Sequence, residues 1–164
     1  MPEFSVKFGG FEMLKRTACA VLLILIGLSV AGFAQTKTVV NDTKAKRMLL
    51  GKHLLSLQWI SWDYFGSATV TERKGVLFLK GTQKGRDNTD YLKVDGVITE
   101  INAKNFKFDG TIEMQISHIN GGKPCLREGE MTFAITQNRK YWRLQEMKSP
   151  CDVTTDYVDI YFRR

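Results

Sequence analysis

Cys125-Leu-Arg-Glu-Gly-Glu-Met-Thr-Phe-Ala-Ile-Thr-Gln-Asn-Arg-Lys-Tyr-Trp-Arg-Leu-Gln-Glu-Met-Lys-Ser-Pro-Cys151 consists of two alternating runs about a short polar turn, with one cysteine at each outer end. Joining Gln137 to Lys140 across Asn138-Arg139 sets Ile135 against Trp142, Phe133 against Leu144 and Met131 against Glu146. The other face then pairs Thr136 with Tyr141 and Thr132 with Gln145. A slip of one residue would invert every side chain, so one apolar and one polar face on both strands together specify the register. Carried outward, that register brings Cys125 opposite Asp152, next to Cys151. A Cys125–Cys151 disulfide is therefore expected. A redox pair would want a Cys-x-x-Cys spacing, which is missing, and a thiolate metal site would have only His53 and His118 to complete it.

The same period of two runs through most of the chain. Tyr91–Ile101 goes up, Asn102-Ala103-Lys104 turns, and Asn105–Ile119 returns with Phe106, Phe108, Gly110, Ile112, Met114, Ile116 and His118 on one face. Pairing Phe108 with Ile98 places Ile112 opposite Val94, Met114 opposite Leu92 and Gly96 opposite Gly110. Facing glycines inside long strands suit a sharp bend, as at a barrel corner. Taking Asp95-Gly96 and Asp109-Gly110 as separate hairpin turns leaves a strand too short to pack. His53–Trp62, Ser67–Arg73, Val76–Gln83 and Tyr157–Phe162 read as further strands, with a bulge near Ile60 and a glycine-rich loop from Gly81 to Asp90. Before them, Asp42 caps a short helix that runs through Leu50 and closes at Gly51.

The expected fold is all-β: an antiparallel up-and-down meander of about eight strands with a short N-terminal helix. A closed barrel removes the exposed strand edges; a two-sheet β-sandwich is the alternative. A helical lead-in, a tryptophan-bearing first strand, meandering strands and a staple resemble lipocalin-like barrels in general plan. Gly51 and Trp59 are too far apart for that family's Gly-x-Trp motif, so the resemblance implies architecture alone.

Residues 1–34 read as an extension followed by a secretory signal peptide. Met13 is the expected start, Lys15-Arg16 the basic region, and 18–34 the uncharged run. Ala31-Gly32-Phe33-Ala34 supplies the small residues for cleavage after Ala34. An uncleaved membrane anchor is the alternative, because Thr17 to Thr36 carries no charge. Residues 35–52 then form the lead-in and helix, and 53–164 one β domain. A secreted or periplasmic location follows, and exported proteins are oxidised. Losing the leader takes the net charge from +7 to +6, since Lys7, Lys15, Arg16, Glu3 and Glu12 go with it. The remaining charges alternate with apolar residues as solvated outer faces. Lys37, Lys44, Lys46, Arg47 and Lys52 gather against Asp42 alone, which suits an anionic envelope surface rather than nucleic acid.

No catalytic residue, metal ligand or cofactor motif stands out. The chain lacks Gly-x-Ser-x-Gly, a phosphate-loop spacing and a calcium-loop ladder. The first expectation is non-enzymatic binding of a small, partly apolar ligand inside the barrel. Phe108, Ile112, Met114, Phe133 and Leu144 would line the cavity, with His118 or Glu146 as its polar point. The second is a structural or envelope-interaction module using the Trp59–Phe65 aromatics or the basic lead-in. A hydrolase or isomerase would need His118 and Glu146 within hydrogen-bond reach of each other.

Overall fold

The structure, a computed structural model, describes residues 36–163. The leader, the Met13 start, cleavage after Ala34 and the anchor alternative lie outside the described residues. Within them, no helix is long and apolar enough to cross a membrane.

The elements run β1 (Val39–Val40), α1 (Thr43–Leu49), β2 (Gly51–Leu57), β3 (Gly66–Arg73), β4 (Val76–Lys84), β5 (Tyr91–Ile101), β6 (Asn105–Gln115), a 3-10 turn (Asn120–Gly122), β7 (Cys125–Ala134), β8 (Tyr141–Leu144) and β9 (Val158–Tyr161). Strands β2 to β9 pair in chain order, and β9 returns to β2, giving a closed antiparallel barrel of eight strands. The meander is therefore a barrel, compatible with a lipocalin-like plan. Closure follows from strands that each have one apolar face and no covering layer of helices.

The long hairpin has the register its glycines imply. Phe108 faces Ile98, Ile112 faces Val94, Met114 faces Leu92 and Gly96 faces Gly110. A Cβ on Gly96 would stand 2.4 Å from the Asp109 carbonyl oxygen and 2.6 Å from the Gly110 Cα. The two backbones thus close to a distance only glycine permits, and the Phe108 ring lies against the gap. Gly96→Ala is expected to cost about 2 kcal/mol through overpacking, read as a lower urea midpoint. An unchanged midpoint would mean that the strands part there at no cost.

The lead-in does more than precede the barrel. Asp42 caps α1 by accepting from the Ala45 amide at 2.6 Å, and Ala45 and Leu49 turn into the core. Strand β1 adds in parallel to the end of β5, where β4 has run out. Thr38 ties the two: its hydroxyl donates to the Ile98 carbonyl at 2.6 Å and accepts from the Leu77 amide at 2.9 Å. Strand structure starts at Gly51 rather than His53. It ends at Leu57, so the expected bulge near Ile60 is instead a turn, closed by the Ile60 amide on the Leu57 carbonyl at 3.0 Å. Strand β4 also continues through Lys84, which shortens the expected loop.

Candidate functional site

The residues expected to line an internal cavity instead fill the interior. Phe108, Phe133 and Leu144 are fully buried, and Ile112 and Met114 nearly so. Phe106 stacks on Phe133 with ring centres 5.1 Å apart, Phe108 meets Phe133 edge-on at 6.0 Å, and Trp142 meets Phe106 at 6.0 Å. The space left beside Ile112 and Met114 is about 10 Å³, against the roughly 10–15 Å³ that one water needs.

His118 and Glu146 correct the sequence reading, because both are exposed. Strand β6 ends at Gln115, and the Ile119 amide closes a turn on the Ile116 carbonyl at 3.0 Å, so His118 leaves the inward face. It rests edge-on against Trp59, with ring centres 6.2 Å apart. Strand β8 ends at Leu144 and the chain kinks where the Met147 amide bonds the Gln145 carbonyl at 2.8 Å. The kink breaks the alternation and turns Glu146 outward, where its carboxylate accepts from the Thr132 amide at 2.9 Å. Thr132 lies far along β7 from the Cys125 end, beyond which His118 sits. At about 3.3 Å per strand residue the Cys125–Thr132 span of β7 alone is roughly 23 Å, so the two side chains sit towards opposite ends of the wall. The acid–base pairing required for a hydrolase or isomerase is not formed.

Two carboxylates that the sequence reading passed over are deeply buried. Asp156 lies beside the Cys125–Cys151 disulfide, whose Cα atoms are 5.9 Å apart. One of its oxygens accepts from the Trp59 indole N–H at 3.1 Å and the other from Arg127 Nη2 at 3.2 Å. Burial pushes the Asp156 carboxyl above the usual range; the bonds to Trp59, Arg127 and Ser149 oppose it. Strand parity carried half of the signal: Arg127 shares the face of Cys125 and Met131 in β7, whereas Asp156 lies two residues before β9. Asp159 is buried on the outside of the wall, held in a two-bonded fork by Arg143 at 2.7 and 2.6 Å. The hydrogen bond to Asp159 is the main cause raising the Arg143 pKa above its ordinary value. The guanidinium also covers the Tyr157 ring at 4.2 Å.

Next to this fork an open groove of about 890 Å³ crosses the outer wall. Leu54, Phe65, Tyr161 and Phe162 give it an apolar floor. Leu54 is 45% exposed and Phe65 39%, so the floor is offered to solvent. The Phe65 and Tyr161 rings meet edge-on at 5.1 Å, and Tyr161 leans on Tyr141 at 5.2 Å, which braces the floor against the Arg143–Asp159 fork. Burial raises the Tyr161 pKa, so its hydroxyl stays protonated. Lys52, Lys140 and Arg163 form the rim, and among the described residues no carboxylate lines the groove.

The other expected surfaces disperse. Of the Trp59–Phe65 aromatics only Phe65 reaches the groove; Trp59 serves Asp156, and Tyr64 lies under Arg86 at 4.1 Å. Of the basic lead-in, Lys52 joins the rim while Lys46 is bound to Glu72 at 2.8 Å.

These features define a closed β-barrel with a disulfide staple, a filled interior and a basic-rimmed apolar groove on its outer wall. The chain belongs to the PM1083 family, whose profile matches residues 37–162 and so takes in the whole barrel with its lead-in. It is 41% identical over 151 residues to the uncharacterized protein PM1083 of Pasteurella multocida (strain Pm70), a match that covers 92% of this chain and 97% of that one. No solved structure was found to match.

Proposed function

We propose that this protein is an exported, non-enzymatic interaction module whose outer groove takes an acidic, partly apolar segment of a partner protein. The observation that carries the reading is the groove itself: an exposed apolar floor inside a rim of three cations, with no carboxylate among the described residues. Apolar floor supplies affinity, and the one-signed rim selects an anionic partner and speeds its approach. Export is supported by the signal-peptide form of residues 13–34 and by a disulfide that suits an oxidising compartment. The filled interior favours this over the small ligand in the barrel mouth, for which the core leaves no comparable space.

The probe is a synthetic peptide in which every second residue is in turn glutamate or an apolar valine, leucine or phenylalanine, with serines between, so that acidic and apolar side chains share one face of an extended strand; it is titrated against the labelled protein. Binding is expected to weaken with salt, as exposed charge pairs are screened. Leu54→Asp is expected to lower affinity at least about tenfold by placing a like charge in the floor. The melting temperature should stay within a few degrees, because Leu54 is half exposed. Equal affinity for a lysine-containing counterpart of the peptide would overturn the reading.

A further inference from the structure

We infer that the partner segment binds as an added β-strand along Gly51–Leu54 of β2; this rests on the groove being the binding surface. Strand β2 pairs with β3 over Gly51 to Leu55, but its ladder to β9 covers only Leu55 to Leu57. Beyond that point β9 turns aside. The Phe162 amide donates to the Lys140 carbonyl at 3.0 Å, on the β8 side, and the Tyr161 carbonyl is met by the His53 ring at 2.9 Å. The barrel seam therefore opens beside Gly51–Leu54: no strand of the described residues lies on that flank, and at its Gly51 end the Arg163 guanidinium reaches across to the Arg47 carbonyl at 2.8 Å.

The open flank and the groove coincide. Lys52 and Leu54 alternate outward into the groove, while His53 between them is buried. A strand rather than a compact ligand is what this combination fits. Every second residue of a strand edge offers its backbone N–H and C=O sideways, and an extended segment satisfies them while laying alternate side chains on the outer face. An incoming strand in register would set its apolar residues over Leu54 and Phe65 and its acidic ones beside Lys52, Lys140 and Arg163. Elsewhere in a closed barrel such edges are consumed by neighbours; a lysine on a free edge also discourages pairing with strands that carry no negative charge.

The test uses the same glutamate-containing peptide and two analogues N-methylated on alternate amides, one set for each edge. N-methylation removes backbone donors and leaves every side chain in place. The parent peptide is expected to bind and to slow hydrogen exchange at the Lys52 and Leu54 amides. One analogue is expected to lose at least about tenfold in affinity while the other keeps it. Lys52→Glu should lose the acidic peptide and gain its counterpart with lysine in place of glutamate, showing that the variant remains folded. If both analogues bind like the parent and exchange is unchanged, strand addition falls and the groove reading survives. If no peptide binds, or vesicles of anionic phospholipid bind while the peptide does not, both readings fall.

Discussion

Asp156→Ala is expected to lower the free energy of unfolding by about 3–5 kcal/mol, the usual cost of removing one partner from a buried ion pair. Asp156 is 1% exposed, and its two oxygens serve different donors, Trp59 and Arg127. Truncation leaves the Arg127 guanidinium, whose side chain is 14% exposed, with the Lys148 carbonyl at 3.0 Å as its remaining hydrogen-bond acceptor. The Trp59 indole N–H loses its acceptor as well, which adds a second desolvated donor. Replacing both charges, as Arg127→Leu with Asp156→Leu, is expected to recover most of the loss, because an apolar pair has no buried charge to compensate. Urea unfolding of the two variants with the disulfide intact measures the difference. A single variant within about 1 kcal/mol of the parent would show that the pair does not hold this end of the barrel.

The same carboxyl sets the sign of a pH effect. Its folded pKa is raised, with burial the leading cause, so the folded state holds this proton more tightly than the unfolded chain does. The proton-linked part of the Asp156 contribution is therefore complete below its unfolded pKa, near 3.8, and is lost as pH rises through the raised folded value, while the contacts to Arg127 and Trp59 remain. Relative to Asp156→Asn, the parent protein should be favoured at pH 4 and lose ground towards pH 7. Melting temperatures of the two proteins over that range give the comparison, and a difference that grows with pH would reverse the assignment.

How far the sequence could be read followed how long each ladder runs. In β5–β6 the Gly96–Gly110 pairing was legible because many pairs in one register act together, and an error of one residue would have turned Phe106, Phe108 and Ile112 to solvent. The β7–β8 hairpin was legible over two pairs behind its turn. Phe133 does face Leu144, but the ladder stops there and at Ala134–Arg143. Extending that register predicted Glu146 inward, and the kink at Gln145–Met147 defeated it. Local alternation carries no information about where a strand stops when the stop depends on backbone bonds such as Met147 to Gln145. The groove was illegible for a related reason. Lys52 and Leu54, Phe65, Lys140 and Tyr161 to Arg163 come from four separate stretches, and only closure of β9 against β2 brings them together. Asp156 and Arg127 lay between these cases. Arg127 has the inward parity of β7, but Asp156 lies two residues before β9 and outside the expected strand Tyr157–Phe162, where alternation gives no direction.

Replacing both cysteines, as Cys125→Ala with Cys151→Ala, is expected to cost about 3.5 kcal/mol, since the disulfide joins positions 26 apart in sequence and closing such a loop removes that much unfolded-chain entropy. For a domain of this size that is a fall of roughly 10–20 °C in melting temperature. The loss should not be spread evenly. Cys125 begins β7, firmly paired along β6, whereas Cys151 sits in the stretch between β8 and β9, which has only the isolated Lys148–Thr155 bridge of its own. That stretch also delivers Asp156 to Arg127, so opening the disulfide frees the segment that places the buried acid. Limited proteolysis of the double variant should therefore cut first between Gln145 and Tyr157, before any strand of the β3–β6 wall. Arg127→Leu with Asp156→Leu in the disulfide-bonded protein should leave that segment resistant. A first cut elsewhere would mean that the hydrogen bonds of the segment, such as Asp156 to the Met147 carbonyl at 2.7 Å and Ser149 to the Thr154 carbonyl at 2.9 Å, suffice without the covalent link.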